Sequence, residues 1–346
     1  MKDLYNERYK LLKNGESFAL ATLFNKQGSA PRTAGARMIL KRDGSIIGTV
    51  GGGYLEALVM EDGKKVLSTG IAVHKDYLLT GKDKGGIDMV CGGDVSVLIE
   101  YVDGEFPINL EIYKEIVRCI NKGEKAFFVK KLNTGTGEFS SYLFDNGKII
   151  SNRDDMSHMD MKEMVQGIYP RDLQVIRKGS DLILIEPVCN CGTVYIFGAG
   201  HVSQKLADLT SNIDFRTIVI DDRAEFANAE RFPLADEIKV ISGFDNCFKD
   251  FSIDNDSYIV IVTRGHCHDL TVLRQALKTD SVYIGMIGSR KKRKVIYNAL
   301  EMDGFSMKDY VRVHNPIGLD IDAETPEEIA VSIAAELIKV RGDRMR

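Results

Sequence analysis

Midway along the chain the apolar run Val194-Tyr195-Ile196-Phe197 breaks on Gly198-Ala199-Gly200 and resumes as the helix-like His201-Val202-Ser203-Gln204-Lys205-Leu206. A strand, a tight turn and a helix start follow one another here, and they constrain the fold more than any other stretch. The first glycine permits the turn. The second lets backbone N–H groups at a helix N-terminus approach a phosphate with no Cβ in the way. A second buried strand, Thr217-Ile218-Val219-Ile220, closes on Asp221 about 20 residues further on, where a ribose-binding acid is expected. Ser203 stands where Gly or Ala usually gives close helix-to-strand packing. From Gly192 onward the apolar runs 194–197, 217–220, 238–241, 258–262 and 282–287 alternate with helical patterns. That alternation predicts an α/β domain built on a Rossmann-like, doubly wound parallel sheet. Thr325-Pro326-Glu327-Glu328 marks the start of the last helix, with a capping Thr, a Pro at the first position and a Glu at the third.

The residues before it need another architecture. An amphipathic charged helix opens the chain, and Ser17 to Phe24 reads as a strand. Arg37 to Leu40 and Ser45 to Val50 form a hairpin across Asp43-Gly44, a strong turn pair between apolar residues. Three glycine-bearing loops interrupt this block: Gly28-Ser29-Ala30-Pro31-Arg32, Gly51-Gly52-Gly53 and Cys91-Gly92-Gly93. The middle one runs into the helical Tyr54-Leu55-Glu56-Ala57, so it is a strand-to-helix junction with free N–H groups. Residues 104–188 read as a helix over 108–120, strands over 125–132, 139–144, 173–176 and 181–186, and a polar loop over 151–160. The expected division is a mixed α+β domain over 1–188, with a subdivision near 104 left open, and the Rossmann-like domain over 189–346.

A chain of 346 residues has room for two or three cores. With 46 basic against 50 acidic side chains it carries no general attraction to nucleic acid or to an anionic membrane surface, and neither partner is expected. No apolar run is long enough to span a bilayer and the N-terminus has no signal-peptide pattern, so the expected location is cytoplasmic. Six cysteines in that setting read as reduced thiols.

Candidate chemistry gathers at the carboxyl edge of the parallel sheet, where open α/β sheets bind their ligands. The strand over 258–262 ends in Thr263-Arg264-Gly265-His266-Cys267-His268, which offers Arg264 and two histidines; one reading makes one of them a general acid, base or phosphate partner, and the other makes both loop histidines with no ligand. The strand over 282–287 leads to Gly288-Ser289-Arg290, a helix start where N–H groups and Arg290 can hold an anion. Cys189 and Cys191 precede the first strand, at the opposite edge from His266, Cys267 and His268, so a joint zinc site is not expected. Cys91 differs from the other thiols. Two glycines follow it, an arrangement that exposes a thiol and favours the thiolate that attacks sulfur species or binds a soft metal; a structural Cys in a tight turn is the competing reading.

Taken together, Gly28-Ser29-Ala30-Pro31-Arg32, Gly48-Thr49-Val50-Gly51-Gly52-Gly53-x-x-Glu56, Cys91-Gly92-Gly93, the glycine turn through His201, Thr263-Arg264-Gly265-His266, Gly285-Met286-Ile287-Gly288-Ser289-Arg290 and His314-Asn315-Pro316-Ile317-Gly318-Leu319 resemble the xanthine dehydrogenase accessory factor (XdhC/CoxI) family. The match runs from about residue 10 to 340 in the family's order. The resemblance implies a bacterial maturation factor for molybdenum hydroxylases. Such a factor binds molybdenum cofactor (molybdopterin), supports its sulfuration by a cysteine desulfurase and delivers it to a xanthine dehydrogenase-type apo-enzyme. It further implies that Ser29, Arg32, Gly51, Gly52, Gly53, Glu56 and Cys91 serve the N-terminal domain, Cys91 as a molybdenum or sulfur contact, and that Gly198, Gly200 and His201 belong to the Rossmann domain. Two other readings compete. One is an NAD-dependent oxidoreductase using Gly198, Gly200 and Asp221 with His266 or His268 as acid; the other is a non-catalytic adaptor for the apo-hydroxylase. A homodimer is expected because closed two-fold assemblies are the commonest.

Overall fold

The computed structural model describes residues 2–28, 34–78, 93–153, 155–168, 173–188, 192–288 and 290–344. The chain divides into two compact units, Met1–Cys189 and Asn190–Arg346.

The first unit is built on two five-stranded antiparallel sheets. Helix α1 (Lys2–Lys13) leads into β1 (Phe18–Gly28), β2 (Arg37–Lys41) and β3 (Ile46–Gly48); helix α2 (Gly53–Thr69) is followed by β4 (Val73–Leu78) and β5 (Gly93–Val102). The strand order is β3-β2-β1-β5-β4, with Phe18 opposite Val102. Helix α3 (Pro107–Lys122) then precedes β6 (Ala126–Asn133), β7 (Phe139–Asp145), β8 (Lys148–Ser151), α4 (His158–Val165), β9 (Gln174–Lys178) and β10 (Asp181–Val188), in the order β8-β7-β6-β10-β9. Residues 104–188 are therefore a second sheet within the first unit. Gly70 and Gly123 end α2 and α3 in left-handed conformations that a Cβ would strain.

Alternation along the strands decides the layers. Odd positions of β5 (Val95, Val97, Ile99) pack with α2, while Leu98 and Val102 face the second sheet. Met161 and Val165 of α4 cover that sheet's other face against Val129 and Tyr142. The polar loop expected over 151–160 gives way to α4, whose start is a capping box: the Ser157 hydroxyl accepts from the Asp160 N–H and the Asp160 carboxylate accepts from the Ser157 N–H.

Between the sheets lies a cluster of buried charges. Arg37 of β2 meets Glu186 of β10 at 2.6 Å, and Lys130 of β6 meets Glu100 of β5 at 3.1 Å. The Tyr5 hydroxyl donates to Glu186. Arg8, fully buried, lies over the rings of Tyr5 (4.6 Å) and Tyr113 (5.9 Å). Burial lowers the Arg37 guanidinium to about 9, with neighbouring Arg8 adding to the fall, and burial pushes the Glu186 carboxyl up to about 8.

The second unit holds β11 (Thr193–Phe197), α5 (His201–Asn212), β12 (Arg216–Asp221), β13 (Glu237–Val240), β14 (Ser257–Ile261), α6 (His266–Ala276), β15 (Tyr283–Met286), α7 (Arg290–Met302), α8 (Met307–Tyr310), β16 (Val313–His314) and α9 (Pro326–Asp343). Its six strands are all parallel in the order β13-β12-β11-β14-β15-β16. Each sheet face has its own core, one with α5 and α9, the other with α6 and α7, so β11 and β14 are buried on both sides and read as continuous apolar runs. The two-residue β16 has no apolar run of its own to mark it in the sequence. The capping box at Thr325 is present, its hydroxyl accepting from the Glu328 N–H.

Replacing Arg37 by Met strands Glu186 in the interior and is expected to cost about 3–5 kcal/mol. Arg37→Met with Glu186→Leu should recover more than half of that loss, read by urea unfolding monitored by circular dichroism.

Candidate functional site at the carboxyl edge of the parallel sheet

The strand order is that of a dinucleotide-type sheet, with its topological switch between β11 and β14. The loops after these two strands meet there. Gly198 has φ +113°, and a Cβ on it would come within 2.7 Å of the Val262 carbonyl carbon and closer still to its oxygen. Only glycine fits. Gly200 is different: φ is −79° and a Cβ would meet nothing within 4 Å. Gly200 caps α5 and Gly265 caps α6, and neither glycine has a side chain to cap the helix; the first turn of α6 carries Asp269, whose carboxylate accepts from the Thr263 N–H (3.2 Å) and hydroxyl (2.5 Å). Two helix N-termini with bare glycine starts thus flank the switch point, an arrangement suited to an anion.

Asp221 ends β12, only 2% exposed. Its carboxylate accepts from the Ala199 N–H (2.8 Å), the Arg223 N–H (3.0 Å), Arg223 Nε (2.9 Å) and Arg223 Nη2 (3.0 Å). Burial alone would raise this carboxyl, but the Arg223 guanidinium and the Ala199 amide hold it below the usual carboxylate range. Asp221 therefore holds the glycine turn in place, and a ribose diol would have to compete with Arg223 for it. The next residue, Asp222, pairs with Arg264 at 2.8 Å. Because β12 and β14 flank β11, that pair crosses above the end of β11; the Arg264 side chain is 42% exposed.

His201 is the first residue of α5 and is exposed. His268 packs against Phe244, ring centroids 5.0 Å apart. His266 opens α6. Gly288 follows β15 at the same edge and Arg290 begins α7, while Ser289 lies outside the described residues. Ser203 is fully buried, and its hydroxyl has no hydrogen-bond partner.

The glycine loop of the first unit is a separate place. Gly51, Gly52 and Gly53 have φ of 144°, 78° and 58°. Glu56 folds back on them: one of its oxygens accepts from the Thr49 hydroxyl (2.5 Å) and the Gly52 N–H (3.2 Å), and the Thr49 oxygen accepts from the Gly51 N–H (3.0 Å). The start of α2 carries its own carboxylate, so an incoming anion would have to displace Glu56. Ser29, Arg32 and Cys91 lie outside the described residues, as do Cys189 and Cys191.

Glu115, Cys119 and Asp145 are the group of metal-ligating type among the described residues. Arg118 sits among them, donating to Glu115 (2.8 Å) and Asp145 (2.8 Å), and burial pushes the Cys119 thiol up to about 12. A cation is already supplied, and the thiol is held in its non-ligating form.

Sequence reasoning also missed a network behind β15 and β16. Glu336 of α9 accepts from the Tyr283 hydroxyl (2.5 Å) and the Gly318 N–H (2.9 Å), and it pairs with His314 Nδ1 at 2.9 Å. The signal was a carboxylate on the apolar face of α9, between Ile333 and Leu337. These contacts fix the His314-to-Leu319 segment.

The second unit is thus a Rossmann-type domain with an anion-suited switch point, joined to an antiparallel α+β unit. Comparison with known proteins identifies it further: residues 194–337 match the XdhC Rossmann domain and residues 11–77 match the XdhC and CoxI family. The chain belongs to that family. It is 30% identical to a probable xanthine dehydrogenase subunit of Bacillus subtilis (strain 168), over 96% of this chain and 95% of that protein. It is 21% identical to the molybdenum cofactor insertion chaperone PaoD of Escherichia coli (strain K12), over 95% of this chain and 85% of that protein. The fold is similar to the crystal structure of a xanthine dehydrogenase from Bacillus halodurans, with a TM-score of 0.78 and 28% identity, covering 97% of this chain and 96% of the other. No described helix is long and apolar enough to cross a membrane.

Gly198→Ala is expected to destabilise the second unit by about 2–4 kcal/mol, because both its conformation and its contact with Val262 are strained. Gly200→Ala should stay within about 1 kcal/mol of the unaltered chain, and Ser203→Ala should gain about 1 kcal/mol by removing an unsatisfied hydroxyl. Chemical unfolding followed by circular dichroism measures all three.

Proposed function

We propose that this protein is a maturation factor for a xanthine dehydrogenase-type molybdenum hydroxylase. In this reading it binds molybdenum cofactor, supports sulfuration of the cofactor by a cysteine desulfurase, and delivers it to the apo-enzyme. The observation that carries the reading is the pair of helix starts capped by glycine, at Gly200 and Gly265, on the loops that meet at the switch point. A phosphate-bearing cofactor offers the charge such helix starts favour, with Arg264 beside them. The family membership and the PaoD-like relative support the same role. The cofactor supplies molybdenum and dithiolene sulfur; the chain supplies the anion cradle and, at Cys91, a thiol of the kind that contacts a soft metal or carries sulfur. The NAD-dependent reading has less support, since Arg223 occupies the acid that a ribose diol would use. We further propose a cytoplasmic homodimer as the working form.

Protein purified from a molybdenum-replete host should release a fluorescent oxidised pterin, in amounts that fall several-fold in Gly200→Ala. No pterin above background, together with no uptake of added cofactor, would sink the reading; micromolar NADH binding with turnover of a carbonyl substrate would favour the oxidoreductase. Cys91→Ala is expected to keep the fold and abolish activation of the client hydroxylase, and full activation by that variant leaves Cys91 a structural role only.

A further inference from the structure

Helix α9 turns its polar residues inward and its apolar residues outward. Over residues 329–338 every position except Ser332 and Glu336 is apolar. Both of these point into the unit: the Ser332 hydroxyl donates to the Leu319 carbonyl (2.6 Å), and Glu336 accepts from the Tyr283 hydroxyl and the Gly318 N–H. Ala330, Ile333, Ala334 and Leu337 fill the core with Leu206 and Ala207 of α5. What remains for the outer face is Val331, 50% exposed, Ile338, 43% exposed, and the half-buried Ala335 between them. Their spacing of i, i+4 and i+7 places them on one stripe along the helix. Neighbouring helices present charge to solvent instead, Lys205 on α5 and Lys294 and Glu301 on α7. A helix that is apolar on every side belongs in an interior, so the outer face of α9 is built to be covered.

The charges at the two ends of this stripe say what covers it. Asp320, Asp322, Glu324, Glu327 and Glu328 gather at the start of α9, while Lys339, Arg341 and Arg344 stand against Asp343 at its end. Lys205 answers Glu327 and Asp256 answers Arg344, and the remaining charges keep opposite signs at the two ends. A second α9 laid antiparallel about a two-fold axis therefore brings each acidic end to the other's basic end and opposes the two helix dipoles, whereas a parallel pair would set like ends together. We propose that the outer face of α9 is a homodimer surface, on which a second copy of this chain packs its own α9 antiparallel. With the axis beside Ala335, Val331 of one copy meets Ile338 of the other, the small Ala335 lets the two helices approach closely, and Lys339 comes beside Glu328 of the other copy. The inference rests on the homodimer proposed above and names the surface that forms it.

Sedimentation velocity of the full chain over a dilution series tests this, with circular dichroism to confirm that each variant is folded. The unaltered chain is expected to dimerise, with a dissociation constant read from the series. Val331→Lys combined with Ile338→Lys sets like charges against each other at both crossings and should weaken association at least about tenfold. Val331→Glu combined with Ile338→Lys sets opposite charges against each other in the antiparallel pair, and like charges in a parallel one, so it should recover most of that loss. Lys339→Glu, at an exposed position, should weaken association about threefold at low salt and less as salt rises, and it keeps the test valid if the double variants fail to fold. A chain that stays monomeric at every concentration overturns the homodimer and this surface together. Unchanged affinity in the folded Val331→Lys, Ile338→Lys variant, or in Lys339→Glu where that variant alone folds, overturns the surface and leaves the homodimer standing. Equal weakening by the two double variants overturns the antiparallel packing of α9.

Discussion

The close approach of Gly198 to the Val262 carbonyl is the constraint on which the second unit depends. It brings the β11 and β14 loops together, and through them the starts of α5 and α6. Asp221 reinforces it by accepting from Ala199 in the middle of the turn, held there by Arg223. The same carboxylate that looks like a ribose ligand in the sequence is thus part of the scaffold. What is left facing outward at the switch point is backbone N–H and the Arg264–Asp222 pair, with no described side chain placed to read a particular base.

The first unit solves a different problem. Two antiparallel sheets with one face each turned inward would ordinarily meet through apolar residues alone. Here Arg8, Arg37, Glu100, Lys130 and Glu186 occupy the layer instead, between the apolar clusters at either end. Ion pairs of this kind add little net stability over apolar replacements, but they penalise any register that separates the partners.

How much of this is legible in the sequence depends on the range of the interaction. The strand–turn–helix at Gly198, the hairpin across Asp43-Gly44 and the capping box at Thr325 are local, and all appear where the spacing places them. Helix α4 carries its signal in Ser157-x-x-Asp160, but at eight residues it is too short for a helical period to stand out, and β16 is two residues long. Glu56 enters as a site residue only through the family resemblance; the folded loop brings Thr49 and Gly52 onto it. Lys130 and Glu100 carry no local signal of their pairing, since alternation says which face a residue takes and not what lies opposite.

The sequence by itself determined the α/β character of the second unit, the glycine that its turn demands, and a pattern of motifs specific enough to indicate the family. These follow from backbone sterics and periodicity, which act within a few residues. Only the tertiary structure decided that Asp221 is taken by Arg223, that Glu56 folds back on its own helix start, and that Glu100 meets Lys130 between the two sheets. Each of these joins groups whose pairing depends on where separate segments pack, and packing is settled by burial and charge summed over the whole unit rather than by any one stretch of chain.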